Sequence, residues 1–128
     1  MPTADQIRAT VLRYVDSFNR KDRAQFLSLF ADGVTQIDPV GSAPNTGVAA
    51  LARFWDTLYA SCDSVDFRLT DLIVTGDEAA LVFHITQTIG DGFTDIDGID
   101  VFQVDEAGRI VLITGYSDAD HVKQRGVG

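Results

Sequence analysis

Glu78-Ala79-Ala80-Leu81-Val82-Phe83-His84-Ile85-Thr86-Gln87-Thr88-Ile89, followed at once by Gly90-Asp91-Gly92, is the stretch that decides how this chain folds. Leu81, Phe83 and Ile85 alternate with Val82, His84 and Thr86. That two-residue period belongs to an extended strand, whose successive side chains point to opposite faces. The glycine-flanked turn makes a hairpin, so a second strand, from about Asp95 to Val104, returns beside the first. Asp105-Glu106-Ala107-Gly108 turns the chain again, and Arg109 to Tyr116 closes the sheet. Upstream, Val65-Phe67-Leu69 alternates, and the apolar run Leu72-Ile73-Val74 ends at Gly76-Asp77. The second half of the chain therefore reads as consecutive antiparallel strands.

The first half has the other period. Thr3-Ala4-Asp5-Gln6 is a capping box, with Thr3 at the N-cap and Gln6 three residues on. Ile7, Val11, Tyr14, Val15 and Phe18 then recur at helical spacing, predicting an amphipathic helix to about Asn19. Asp22 opens a shorter helix holding Phe26, Leu29 and Phe30, stopped by Asp32-Gly33. Val34 to Asp38 reads as a short strand broken at Pro39, and Gly41 to Gly47 as a loop. A third helix, Val48 to about Ala60, carries Leu51, Phe54, Trp55, Leu58 and Tyr59. Helices followed by antiparallel strands make an α+β plan. Three amphipathic helices over one curved sheet leave a cone whose mouth must be filled or hold a ligand.

A length of 128 residues predicts a single domain over 1–128 with a real core. A net charge of −9 argues against nucleic acid or an anionic membrane as partner and favours a neutral or cationic small ligand. The lone Cys62 excludes an internal disulfide and a thiolate zinc site. His84 and His121 have no metal-site spacing, and His84, out of phase with Phe83 and Ile85, is expected at a contact outside any pocket. The glycines form no phosphate loop. With no basic-then-apolar leader and no apolar stretch of membrane-spanning length, the expected location is the cytoplasm.

Three polar residues stand against this apolar pattern. Asp38 ends its strand between Ile37 and Val40, where a carboxylate faces a cleft and is kept partly dry. Asp100 shares a strand face with Ile96, Gly98, Phe102 and Val104, whereas Asp95 and Asp97 take the opposite face toward water. A carboxyl on the apolar face must be hydrogen-bonded or take up a proton. No Arg or Lys between Arg68 and Arg109 offers it a local partner. Tyr14 lies on the apolar stripe of the first helix. Together the three suggest one carboxylate to accept a proton and two O–H groups to donate hydrogen bonds. Proton abstraction from a carbon beside a carbonyl needs that set.

The runs Arg13-Tyr14-Val15…Phe18-Asn19, Leu29-Phe30-Ala31-Asp32…Ile37-Asp38-Pro39-Val40-Gly41-Ser42 and Gly98-Ile99-Asp100-Val101-Phe102 resemble the bacterial ketosteroid isomerases. The likeness extends over nearly the whole chain, including Glu78-Ala79-Ala80 and Ala107-Gly108-Arg109-Ile110-Val111. It implies the cone-shaped nuclear-transport-factor-2-like fold, with helices on a strongly curved, mixed but mainly antiparallel sheet, usually as a homodimer. It implies a steroid Δ-isomerase that converts 3-oxo-Δ5 steroids to 3-oxo-Δ4 steroids through a dienolate. Asp38 then matches the general base, and Tyr14 and a protonated Asp100 match the oxyanion hole. An apolar steroid pocket is implied at Phe18 and Trp55 on the helices and at Phe83, Ile85, Ile96, Phe102 and Ile113 on the sheet. Neither a metal nor an organic cofactor is implied.

Trp55, and Phe30 relative to some members, stand where the family carries tyrosines behind the catalytic phenol. Ser117 stands where an aromatic often flanks the steroid. Two other readings keep the same cone. One is a different enzyme, a polyketide cyclase or an epoxide hydrolase, the latter needing an Asp–Arg–Asp arrangement. The other is a non-catalytic module for apolar ligands.

Overall fold

In the computed structural model, which describes residues 1–126, the Thr3 hydroxyl accepts from the Gln6 N–H at 3.1 Å. The Gln6 side chain accepts from the Thr3 N–H at 2.8 Å. This reciprocal cap opens α1 (Ala4–Asn19), and Ile7, Val11, Tyr14, Val15 and Phe18 form its buried stripe. Asn19 fastens the far end. Its amide nitrogen donates to the Phe67 carbonyl at 2.9 Å, and its oxygen accepts from the Phe67 N–H at 2.7 Å. The helix is thus pinned across the sheet that it covers.

Asp22 caps α2 (Arg23–Ser28) by accepting from the Gln25 N–H. The chain then runs through β1 (Phe30–Ile37), β2 (Asn45–Thr46), α3 (Val48–Ser61), β3 (Ser64–Thr75), β4 (Glu78–Ile89), β5 (Gly92–Val104), β6 (Ile110–Tyr116) and β7 (Val122–Gly126). The strand order is β2-β1-β6-β5-β4-β3, with β7 paired to β5. Among the described residues only β1 and β6 run parallel, so the sheet is mixed and mainly antiparallel.

Two features curve this sheet into a cone. A bulge between Leu69 and Asp71 bends β3, where the Thr70 hydroxyl donates to the Val82 carbonyl. β5 also changes partner, pairing with β7 as far as Ile96 and with β6 from Ile99. Between these registers Ser117–His121, ending in a 3-10 turn, crosses the mouth. The narrow end is filled by Ile7, Phe26, Leu51, Leu81, Phe102 and Ile110, all fully buried. Each such side chain contributes about 1.5–3 kcal/mol relative to exposure.

Several boundaries differ from the sequence expectation. α2 stops at Ser28, and Phe30 starts a strand, because β6 recruits it: Phe30 pairs with Ile110, whose N–H donates to the Leu29 carbonyl. Asn45–Thr46, expected as loop, adds a short edge beside β1. Val65 to Val74 is one bent strand, because the bulge accommodates Thr70-Asp71 without ending the ladder. The tail after Tyr116, in which no element was expected, supplies β7.

Candidate active site

Three elements meet at Gly115. On β5, Asp100 pairs with Gly115 of β6, and on the other side of β6 the parallel register aligns Ile37 with Thr114. Asp38 is therefore the next residue level with Gly115. The Val40 N–H donates to the Gly115 carbonyl at 2.8 Å and holds that junction in place. Aligned residues on neighbouring strands face the same way. Asp38 and Asp100 thus flank a residue that has no side chain. A Cβ at Gly115 would lie 2.7 Å from the Asp38 Cγ and 3.3 Å from the Asp100 Oδ1, and would overlap the Asp38 Oδ1. The glycine is what allows two carboxyls to converge there.

Tyr14 comes from α1, on the opposite wall. The residue is 4% exposed. It meets Phe18 at 5.1 Å, Phe102 at 5.0 Å and Phe30 at 6.5 Å between centroids, all edge-on, with Phe26 and Phe67 close behind. Tyr14, Asp38 and Asp100 all line one cavity of about 530 Å³. Phe18, Phe54 and Leu58 form its helical wall, Val65, Phe67, Phe83, Ile85 and Ile96 its sheet wall, and Ser117 to Ala119 with Val122 its rim. An adjoining cavity of about 500 Å³, lined by Val40, Thr70, Val82, Ile99 and Tyr116, contains none of the three.

The electrostatics separate the two carboxyls. Burial pushes the Asp100 carboxyl well above the ordinary aspartate range, and a charge on Asp38 pushes it the same way. Asp38 sits at the rim, exposed as a residue, with its carboxyl against Gly115 on the cavity side. Partial burial raises it too. Burial, then Asp100, then Asp38 raise the Tyr14 phenol far above its usual value. The pair therefore begins to ionise at Asp38, while Asp100 and Tyr14 keep their protons. One side of the cavity thus brings together a carboxyl that ionises first and two groups that keep their O–H protons, in apolar surroundings.

Of the expected pocket residues, Phe18, Phe83, Ile85 and Ile96 line the cavity. Trp55, Phe102 and Ile113 do not. Phe102 and Ile113 lie two positions deeper than Asp100 and Gly115 on their strands, roofed by α1 and almost fully buried. Trp55 turns into the layer between helices, 4.7 Å from the rings of Phe26 and Tyr59. The Tyr59 hydroxyl donates to the Phe18 carbonyl at 2.7 Å, so it is committed away from Tyr14. Behind the phenol stands an aromatic shell of Phe26, Phe30 and Trp55.

Sequence reasoning missed Gly115, whose only signal was a glycine inside a strand. It also missed Gln87, in phase with Phe83 and Ile85. Phe54 and Leu58, one helical turn apart, and Val65 and Phe67, on the alternating face of β3, were legible but not assigned. Ala119 and Val122 carried no signal, because the tail becomes a wall only through pairing with β5. Asp95 faces outward as its phase predicts, and there its carboxylate takes bonds from Thr86 at 2.7 Å and from Arg125.

Comparison with known proteins fits this geometry. The chain is 29% identical to a steroid Δ-isomerase of Nocardioides simplex over 111 residues, which covers 87% of this chain and 89% of that one. The protein RV0760c of Mycobacterium tuberculosis superposes with a TM-score of 0.87 at 22% identity, over 98% of this chain and all of the other. It has also been crystallised with estradiol-17beta-hemisuccinate. A Δ5-3-ketosteroid isomerase from Mycobacterium sp. gives a TM-score of 0.84 at 24% identity, over 94% of this chain and 98% of that one. These likenesses establish the nuclear-transport-factor-2-like cone. The model of the SnoaL-like domain matches residues 11–113, and the chain belongs to that family.

Proposed function

We propose that the protein is a steroid Δ-isomerase working by intramolecular proton transfer. The supporting observation is the row Asp38–Gly115–Asp100 beneath Tyr14, in which one carboxyl ionises ahead of the other. A 3-oxo-Δ5 steroid enters the apolar cavity with its ketone oxygen between the Tyr14 and Asp100 O–H groups. The Asp38 carboxylate takes the proton from the carbon between ketone and alkene. The electron pair left behind spreads onto the oxygen, giving a dienolate that the two donors stabilise. The carboxyl of Asp38 then returns its proton to the far end of the former double bond, and the alkene ends in conjugation with the ketone. One proton has moved, and nothing is oxidised or reduced. The filled cavity dries Asp38 further and strengthens it as a base.

The aromatic shell behind Tyr14 leaves its O–H polarised by no other hydroxyl among the described residues, so the reading includes slower turnover than a tyrosine-backed phenol would give. No arginine or lysine lines the cavity among the described residues, and Arg68 is ion-paired with Asp66 on the surface. An Asp–Arg–Asp hydrolase arrangement therefore has no support here. Absorbance of the conjugated enone formed from a 3-oxo-Δ5 steroid tests the proposal. Asp38→Asn is expected to slow turnover at least ~10²-fold by loss of the base. Tyr14→Phe is expected to cost about 10²-fold by loss of one donor. A wild-type protein without turnover, or one indifferent to Asp38→Asn, overturns the reading.

A further inference from the structure

At the end of the cavity away from the carboxyls, the wall includes a long polar side chain, Gln87, that no side-chain hydrogen bond among the described residues engages. Gln87 follows Phe83 and Ile85 on the cavity face of β4, paired with Val65 of β3 and Thr94 of β5, and Ile96, Phe54, Leu58 and Val122 line the same cavity. No side-chain hydrogen bond among the described residues engages its amide, and none of their polar side-chain atoms is buried without a partner. The amide is therefore open to the cavity. The other polar groups near the rim are engaged: the Ser117 hydroxyl donates to the Asp97 carbonyl, and the Asp118 carboxylate accepts from the His121 N–H and ring.

The ladder sets the spacing. Asp100 stands opposite Leu81, and Gln87 lies six residues farther along β4. At about 3.3 Å per residue that is roughly 20 Å of strand. The Asp100 carboxyl and the long Gln87 side chain reach into this span from its two ends. What remains suits a rigid four-ring skeleton with a ketone at one end and a small oxygen substituent at the other. An amide both donates and accepts, so a ketone or a hydroxyl satisfies it. Asp118 at the rim makes a carboxylate the wrong partner.

We propose, building on the isomerase reading, that Gln87 recognises a neutral hydrogen-bonding oxygen on the substrate end opposite the reacting ketone. It makes the protein selective for steroids oxygenated at carbon 17. Gln87 is a binding residue remote from the reacting atoms, so it acts on KM and leaves kcat alone.

The test uses a 3-oxo-Δ5 steroid with a 17-ketone and its 17-deoxy analogue, on the wild type, Gln87→Leu and Gln87→Met. In parallel, equilibrium binding is measured for a phenolic steroid with and without a 17-hydroxyl. The wild type is expected to show a KM about tenfold lower for the oxygenated substrate, the range of one net hydrogen bond. Both variants should lose that preference at unchanged kcat, binding the deoxy compounds as well as the wild type does. Turnover with no 17-oxygen preference, or with a preference that survives both variants, overturns the assignment of Gln87 and leaves the isomerase reading standing. If no steroid turns over, yet wild-type binding discriminates and the variants' does not, Gln87 is upheld and the isomerase reading falls. Absence of both turnover and binding overturns both.

Discussion

Asp95 and Asp100 lie five residues apart on one strand and have opposite fates. Asp95 faces outward, where the Arg125 guanidinium and the Thr86 hydroxyl hold its carboxyl down at about 2. Asp100 faces inward, where burial and the neighbouring Asp38 push its carboxyl far up. The odd spacing puts them on different faces, and the faces differ in water and in cations. An aspartate in a strand is a surface anion or a buried acid according to the side of the sheet that it meets.

The widest gap between the two should appear in turnover. On the proposed mechanism Asp100→Leu removes a donor to the developing oxyanion, and it is expected to cost about 10²–10³-fold in kcat. Asp95→Asn should leave the rate of steroid isomerisation where it was. Equal effects from the two would mean that the cavity face has no special role.

Gly115→Ala sharpens the comparison from the other side, since it keeps both carboxyls and displaces one. The added methyl overlaps the Asp38 carboxyl and presses on Asp100. Misplaced by about 1 Å, the base should lose on the order of tenfold to 10²-fold in kcat. Binding of a phenolic steroid should suffer less, because the apolar walls are untouched.

Stability against pH should separate the two aspartates by sign. The folded-state pKa of Asp100 is raised. Its proton is retained while the unfolded chain ionises near pH 4, so wild-type stability falls as pH rises from there. Asp100→Asn should abolish this loss, standing above the wild type in urea unfolding at neutral pH and converging with it below about pH 4. For Asp95 the order reverses. Its contribution is present above the ordinary aspartate range and is lost as pH falls through about 2.

The smallest effect is local. Arg125→Gln removes the main cause of the low Asp95 value and should return that carboxyl toward the ordinary range in a carbon-detected NMR titration, with the Asp100 resonance unmoved. Movement of both would mean that the two faces are electrostatically coupled through the sheet.

Much of this was legible in the residues themselves. The capping box at Thr3, the stripe that carries Tyr14 and the alternation that turns Asp100 away from Asp95 and Asp97 are short-range patterns, governed by helix and strand geometry alone. They put an acid on an apolar face before any contact was known. They did not show Asp95 anchored by Arg125, because that arginine arrives on a strand the tail pattern did not announce. Nor did they sort Phe83 from Phe102. Both alternate correctly, but one faces space and the other faces Tyr14, a difference of depth in the cone that strand phase does not encode.

Local periodicity, then, determined which side of each helix and strand is apolar, and so which polar residues were out of place. The meeting of Asp38 with Asp100 is long-range. It depends on β6 sliding between β1 and β5, parallel to one and antiparallel to the other, in a register that brings Gly115 level with both. A strand's own sequence fixes its two faces, but its register is set by the partners that pack on them. The tertiary structure alone therefore decided that two aspartates separated by 62 positions share one cavity, and that a single missing side chain gives them room.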